Sequence, residues 1–193
     1  MMKKIFSVLF FLLTALSLSA QDQYTDKRDG NTYKTITIGG ATWMAENLRY
    51  KPAGDEANCF DNNKSNIESY GLLYQWKTAT KACPDGWRLP TGQDFRNLMD
   101  NAEILDNREK HDSGPNSFSV QLAGMQDFEG TFTEMDESAY YWTATEYSEG
   151  EAEYFSYMII NSKPIVDLSR KQDMPDIHGA EKINKYSVRC IKN

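Results

Sequence analysis

Residues 82–91 read ACPDGWRLPT, and they separate two segments whose apolar residues have helical spacing. Pro84 and Gly86 are residues that end a helix, whereas Thr91 is favourable at the position just before a helix begins. We therefore expect residues 86–90 to form a short rigid connector between two helices.

Each of the two predicted helices has one buried face. The second begins after Thr91, which forms an imperfect capping box with Asp94, because Asp replaces the usual Glu or Gln. Its apolar stripe consists of Phe95, Leu98, Met99 and Ala102. The inward face of the first helix has i, i+3, i+4, i+7 spacing and consists of Trp76, Ala79, Thr80 and Cys83.

Strands are predicted on both sides of the helices. A hairpin is expected at residues 32–44, where Gly39 and Gly40 provide a tight turn between two β-branched runs. Residues 51–69 are polar and loop-like. Further strands are predicted at residues 140–145, 154–160 and 186–191. No strand–helix–strand alternation is visible, which predicts a single α+β domain over residues 21–193.

The first 20 residues have the pattern of a signal peptide. Lys3 and Lys4 precede an apolar run from residue 5 to 16, and small residues ending at Ala20 follow it. The run is shorter than the roughly 18–20 apolar residues that a membrane span needs, so no transmembrane segment is expected in the mature chain. We expect export, with the mature protein secreted, periplasmic or on the outer cell surface.

The charge excludes two classes of partner. The 193-residue chain has a formal net charge of −7, and the loss of Lys3 and Lys4 with the signal makes it −9. A nucleic-acid binder needs a basic stripe, and a protein that docks on an anionic membrane surface needs a basic patch. We therefore expect no nucleic-acid partner.

Three cysteines allow one internal disulfide and one leftover thiol. Cys83 is expected to point inward from the end of a helix, and Cys190 inward from the last strand. In an exported protein these two cysteines are expected to pair, although two buried free thiols are the alternative. Cys59 lies in the polar segment and is the leftover thiol. A catalytic role for Cys59 is disfavoured, because His111 and His178 both lie in polar loop contexts.

Four ordered motifs carry a family resemblance. They are DGNTYK at 29–34 leading to WMAENL at 43–48, YGLLYQW at 70–76 leading to ACPDGWRLPT at 82–91, YWTATE at 141–146, and SVRC at 187–190. In order and spacing they resemble the Fibrobacter succinogenes major paralogous domain, over about residues 24–193.

The resemblance implies an exported, often surface-associated bacterial domain without an established activity. It also implies a C-type-lectin-like fold, in which a disulfide ties a helix to the terminal strand. The chain departs from the family at Ile67, where many members have a cysteine that would pair with the equivalent of Cys59. Cys59 is therefore expected to be open to intermolecular bonding. Arg88 stands where His is common.

Residues 111–162 hold ten acidic residues and no Lys or Arg, together with ten of the 24 aromatic residues of the chain. In C-type-lectin-like folds the comparable segment carries the ligand loops. Carboxylates there could bind Ca²⁺ through oxygen, or accept hydrogen bonds from sugar hydroxyls beside aromatic rings. The alternative is that the acids are solvated, and that Tyr141, Trp142, Phe155 and Ile159 are core residues. The candidate ligand-binding residues are Asp136, Glu137, Tyr140, Glu146 and Tyr147.

Three functions are compatible with these patterns. The first is a non-catalytic binding or adhesion domain for carbohydrate or a cell-surface protein. The second is a structural protein of the envelope that dimerises through Cys59. The third is a hydrolase that uses carboxylates, which is disfavoured because no nucleophile elbow, phosphate-binding loop or metal-ligand cluster is present in the sequence. No catalytic residue and no cofactor is predicted, and Ca²⁺ is the one metal that the acidic segment suggests.

Overall fold

The computed structural model describes residues 22–54, 56–106, 117–161, 163–168 and 179–193. The strands in these ranges are β1 (Gln23–Thr25), β2 (Thr32–Ile38), β3 (Ala41–Met44), β4 (Ala57–Asn58), β5 (Leu73–Gln75), β6 (Trp87–Arg88), β7 (Glu103–Asp106), β8 (Ser117–Val120), β9 (Ala123–Gln126), β10 (Phe132–Met135), β11 (Ser138–Glu146), β12 (Glu151–Ile160), β13 (Lys163–Leu168), β14 (Ala180–Glu181), β15 (Lys185–Ser187) and β16 (Ile191–Lys192). The helices are α1 (Ile67–Tyr70), α2 (Trp76–Ala79) and α3 (Gly92–Asn101), with 3₁₀ turns at Phe60–Asn62 and Lys64–Asn66.

A five-stranded sheet, which we call the terminal sheet, joins the two ends of the described chain. Its strand order is β1-β2-β3-β16-β6, and every pairing is antiparallel. The predicted hairpin forms its centre: β2 pairs with β3 across Gly39 and Gly40, both of which have positive φ, as the tight turn requires. Ile191 of the last strand faces Trp43 in the register.

A larger sheet, the main sheet, contains the rest of the long strands. Its order is β13-β12-β11-β9-β15-β5-β4, with β10 added on β9 and β14 on β12. The antiparallel hairpin of β11 and β12 confirms the strands predicted at residues 140–145 and 154–160. Strands β7 and β8 form a separate parallel pair.

The prediction of two helices is only half right. The segment from Gly92 to Asn101 is a ten-residue helix with both hydrogen bonds of the capping box, as expected. The first predicted helix is a single turn that ends at Ala79, so Cys83 lies outside it. The chain continues in tight turns, with the Lys81 amide bonded to the Thr78 carbonyl, and this brings Cys83 to the terminal sheet. The described chain is therefore mostly β-sheet.

Three other expectations about local structure need correction. The predicted strand at residues 186–191 is broken, because β15 belongs to the main sheet and β16 to the terminal sheet. The segment 51–69 is not only loop but contains β4, two 3₁₀ turns and most of α1. The connector at residues 86–90 contains the edge strand β6.

The core lies on both sides of the terminal sheet. On one side, Trp43 packs against Phe95 of α3 with ring centroids 5.3 Å apart, and Phe95 stacks on Phe155 of the main sheet at 4.5 Å. On the other side, Tyr33 and Met44 are completely buried. The predicted disulfide between Cys83 and Cys190 is present in this second cluster. It ties the segment after α2 to the end of the chain.

A buried arginine fixes the C-terminal motif. Arg189 has no exposed surface, and its Nη1 and Nη2 donate hydrogen bonds to the Ser119 carbonyl and to Asn47 Oδ1, each at 2.6 Å. Burial lowers the pKa of the guanidinium, against the opposing influence of Tyr141 and Glu46. The side chain therefore joins two of the sequence motifs, WMAENL and SVRC, inside the core.

Candidate functional site

The candidate ligand residues from the acidic segment lie at two ends of β11 rather than in one place. Asp136, Glu137 and Tyr140 are at its beginning, whereas Glu146 and Tyr147 are at its end. Six residues of strand separate Tyr140 from Glu146, which corresponds to about 20 Å. The structure therefore does not bring the five candidates together at one end of the strand, and their role in ligand binding stays a prediction.

At the beginning of β11, two carboxylates are displayed by unusual backbone geometry. Glu134 and Asp136 both have left-handed φ, at 64° and 63°. In the antiparallel register of β10 on β9, Glu134 lies opposite Gly124, between the Thr133–Met125 and Met135–Ala123 pairs. A Cβ on Gly124 would lie 2.1 Å from the Thr133 carbonyl oxygen, so only glycine permits this approach.

Both of these carboxylates accept hydrogen bonds from tyrosines. The Tyr140 hydroxyl donates to Glu134 Oε2, and the Tyr70 hydroxyl donates to Asp136 Oδ1, each at 2.6 Å. Burial raises the pKa of Tyr140, and the bond to Glu134 raises it further. The Tyr140 side chain is only 8% exposed and stacks on Tyr186. These groups are bonded to one another, which favours a structural role.

At the end of β11, Glu146 forms an ion pair with Lys182. Lys182 also donates to the carbonyls of Ser148 and Glu149, and its ammonium lies 4.7 Å from the centre of the Trp76 ring. Tyr147 is 42% exposed beside this cluster. Lys182 therefore pins the turn between β11 and β12 to α2.

The aromatic residues that were expected in the core are there. Tyr141, Trp142 and Phe155 are completely buried, and Ile159 is half-buried. His111, His178 and Asp112 lie outside the described residues. In the ranges that the structure describes, no three His, Cys, Asp or Glu side chains come together as a possible metal-ligand group. No described helix is long and apolar enough to cross a membrane.

Cys59 is a free thiol, but it is not open to solvent. Its side chain is 7% exposed and belongs to the core cluster that contains the disulfide. A bond from Cys59 to a second chain would require this segment to open, so the intermolecular bonding expected for Cys59 stays a prediction. Ala57 is completely buried just before it in β4, so the segment follows the sheet closely despite its polar composition.

A pocket that the sequence did not predict lies on the terminal sheet, and we call it the sheet pocket. It has a volume of about 430 Å³ and is lined by Asp22, Gln23, Tyr24, Thr35, Thr37, Thr42, Asp85, Gly86, Trp87 and Lys192. Alternate residues of a strand lie on the same side of a sheet. In the register, Thr37 is paired with Thr42, and Lys192 is paired with Trp87. All five strands of the sheet therefore contribute to the lining.

The position of the sheet pocket follows from the alternation of residues in β2. Ile36 and Ile38 point to the cluster around α3, so Thr35 and Thr37 point to the opposite face. At Tyr33 this side of the sheet is covered by core residues, whereas at Thr37 it is open to solvent. Tyr24 of β1 and Trp87 of β6 also line the pocket, with ring centroids 5.0 Å apart. Tyr24 is half-buried, whereas Trp87 is only 7% exposed and belongs to the core cluster.

The sheet pocket combines rings, hydroxyls and charges. The Thr37 and Thr42 hydroxyls are 3.1 Å apart, and either can donate to the other. Asp22, Asp85 and Lys192 supply two carboxylates and one ammonium. Burial raises the pKa of the Tyr24 hydroxyl, and Asp26 and Asp85 raise it further against the opposing charge of Arg28. The lining carries one net negative charge, which does not suit an anionic ligand.

The sequence offered one signal for this pocket. The alternation of Thr35-Ile36-Thr37 shows that the face opposite the isoleucines is polar. Nothing in the sequence placed Trp87 or Lys192 on that face, because these residues reach it through long-range pairing of β6 and β16.

Comparison with known proteins gives one family. The sequence model of the Fibrobacter succinogenes major domain matches residues 36–192. No curated protein and no solved structure matches the chain.

Proposed function

We propose that this chain, which belongs to the Fibrobacter succinogenes major domain family, is an exported, non-catalytic binding domain. In this proposal the domain has a C-type-lectin-like fold and binds carbohydrate in the sheet pocket. The family name carries no activity, so the proposal rests on the chemistry of the pocket. The single observation that carries it is that two aromatic residues, Tyr24 and Trp87, line one pocket together with threonine hydroxyls. The half-buried Tyr24 ring is the more exposed of the two, because Trp87 is almost completely buried.

The lining suits a neutral sugar unit. Aromatic rings offer flat, electron-rich faces to the C–H groups of a sugar ring. Asp22 and Asp85 can accept hydrogen bonds from sugar hydroxyls, and Thr42 and Lys192 can donate them. Specific small-molecule sites combine apolar surface with a few placed polar groups in this way, in pockets of about 300–1,000 Å³.

Export is part of the proposal. The signal-peptide pattern of residues 1–20 lies outside the described residues. The Cys83–Cys190 disulfide is consistent with an oxidising compartment, because such bonds persist outside the cytoplasm. The mature protein would then be secreted, periplasmic or on the outer cell surface, where it meets extracellular glycans. The burial of Cys59 favours this function over that of a covalently dimerised envelope protein.

The proposal is tested on the exported protein with its disulfide formed. We expect glycan-array binding to neutral oligosaccharides of glucose, xylose, mannose or galactose. Calorimetry with the best of these should then show about a tenfold loss of affinity for Asp85→Asn, because a hydrogen bond to a charged group is worth about 1.5–3 kcal/mol. Thr42→Val should also weaken binding.

The matched control is Asp100→Asn, since Asp100 is an exposed aspartate on α3, away from the pocket. It should bind as the unsubstituted protein does. A folded protein that binds no glycan on the array, or an Asp85→Asn variant with full affinity, would overturn the proposal.

A further inference from the structure

A second recess lies beside α2, and we call it the lysine recess. It has a volume of about 520 Å³ and is lined by Tyr50, Pro52, Ala53, Glu56, Gln75, Lys77, Thr78, Lys81 and Ala82. One wall is apolar or aromatic, formed by the loop after β3, and the other carries the two lysines. It therefore offers a ring-and-aliphatic surface next to cationic groups.

The two lysines of this recess have no anionic partner among the residues that the structure describes. Within the described part of the chain, neither Lys77 nor Lys81 forms an ion pair. Lys77 lies in α2, and Lys81 lies in the turn that follows it. Among the lining residues that the structure describes, Glu56 is the one carboxylate. These described residues together carry one net positive charge, in a protein that is acidic overall.

A nearby arginine does not change this balance. Arg28 lies over the Tyr50 ring, with its guanidinium carbon 3.7 Å from the ring centre. Its Nε and Nη2 are bonded to the Asp26 carboxylate, and Nη2 also donates to the Ala82 carbonyl. The arginine is thus neutralised by Asp26 and supports the Tyr50 wall.

The lysine recess and the sheet pocket share a structural wall. Residues 82–87 run from one to the other: Ala82 lines the lysine recess, and Asp85, Gly86 and Trp87 line the sheet pocket. Cys83, inside this segment, is bonded to Cys190. Ala82 and Asp85 are three positions apart, so their Cα atoms are separated by at most about 11 Å. This distance is within the length of a short oligosaccharide.

We infer that the lysine recess is a second subsite of the same binding surface, and that it accepts a sugar unit bearing a carboxylate. This inference rests on the proposed function and names the ligand class: an oligosaccharide with a neutral unit in the sheet pocket and a sugar acid in the lysine recess. A single carboxylate matches the one net positive charge left by Glu56. A phosphate dianion would bring its second charge against Glu56, and is disfavoured for that reason.

The test compares sugar acids with their methyl esters, which keep the ring and remove the charge. The probes are oligogalacturonate, oligoguluronate and a glucuronate-bearing xylo-oligosaccharide, each as free acid and as ester, measured by calorimetry. We expect at least one of the three to bind more tightly as the acid. Lys77→Gln and Lys81→Gln should each reduce that preference about two- to fivefold, as expected for exposed ion pairs. The preference should also shrink as salt is raised.

Lys64→Gln is the matched control, because Lys64 is an exposed lysine in a 3₁₀ turn away from the recess. It should keep the full preference for the acid. Equal affinity for every acid and its ester, or lysine variants that retain the preference, would overturn this inference. Neutral oligosaccharides that still bind in an Asp85-dependent way would then leave the proposed function standing, whereas loss of all glycan binding would remove both.

Discussion

Gly92 is a position at which a single methyl group would collide with a buried carboxylate. A Cβ there would lie 1.8 Å from Glu153 Oε2. Glu153 is almost completely buried, and Thr143 Oγ1 and Arg96 Nη1 lie within hydrogen-bond distance of its carboxylate. The glycine at the first position of α3 therefore leaves room for an acid from the main sheet, which is favourable near a helix N-terminus.

We predict that Gly92→Ala destabilises the protein by about 1–3 kcal/mol, the usual cost of an overpacked site. Urea unfolding followed by circular dichroism measures this change. The control is Gly150→Ala, because a Cβ on Gly150 meets nothing within 4 Å, and it should stay within about 0.5 kcal/mol of the unsubstituted protein. Equal urea midpoints for the two variants would show that the Glu153 carboxylate moves aside without loss of stability.

At the scale of elements, α3 shows that a capping box with Asp in place of Glu or Gln still begins a helix. The Thr91 amide donates to Asp94 Oδ2 at 2.7 Å, and the Asp94 amide donates to Thr91 Oγ1 at 3.2 Å. The shorter Asp side chain thus completes the capping box. Arg88 adds a two-pronged contact to the same carboxylate, at 2.7 and 3.0 Å. The edge strand β6 is thereby tied to the beginning of the helix.

These contacts make the stability of the protein depend on pH. Burial alone would raise the pKa of Asp94, but the hydrogen bonds from Arg88 and Thr91 outweigh it and lower the pKa to about 2. Because the folded pKa lies below the unfolded value of 3.8, the stabilisation is complete above about pH 4 and is lost as pH falls towards 2. Its size is on the order of 2 kcal/mol.

We expect Asp94→Asn to be less stable than the unsubstituted protein at pH 6, and to lose that difference between pH 4 and pH 2. Urea unfolding at a series of pH values gives both curves. Asp100→Asn again serves as control, since its exposed carboxylate should leave the pH profile unchanged. A difference that stays constant down to pH 2 would contradict the assignment of the pKa to Asp94.

Elements specified by neighbouring residues were predictable, and elements specified by distant ones were not. The hairpin of β2 and β3 follows from alternation and two glycines, and α3 follows from its cap and apolar stripe. The first predicted helix fails after one turn because the chain must carry Cys83 to Cys190. The candidate site could not be predicted for the same reason, because the sheet pocket depends on pairing between strands that are far apart in sequence. The acidic segment stood out only by its composition, which does not specify where its side chains lie in the fold.

At the scale of the whole molecule, the disulfide closes most of the described chain into one loop. Cys83 and Cys190 are 107 residues apart in sequence. In the chain-entropy model, a crosslink over about 100 residues removes unfolded-state freedom worth about 4–5 kcal/mol. We predict that Cys83→Ser/Cys190→Ser loses stability of this order, measured by urea unfolding. The double variant should not respond to reductant, whereas the unsubstituted protein should approach its stability when reduced.

Chemical labelling of Cys59 gives a second test of the contribution of the disulfide to stability. Cys59 is the one remaining thiol, so its labelling under native and unfolding conditions reports on opening of the core. We expect slow labelling in the oxidised protein and faster labelling in the Cys83→Ser/Cys190→Ser variant, in which Cys59 is again the one thiol. An oxidised protein and a double variant with the same urea midpoint would mean that the crosslink contributes nothing to stability.

The terminal sheet also decides how the protein can be attached to anything else. Asp22 and Lys192, near the two ends of the described chain, both line the sheet pocket. A tag, linker or neighbouring module fused beside either residue therefore emerges at the rim of the sheet pocket and restricts access to it. Capture on a sensor surface through a tag at such a position would hinder a ligand of this pocket, whereas anchoring through a cysteine introduced at the exposed Asp100 on α3 would leave the pocket facing solution.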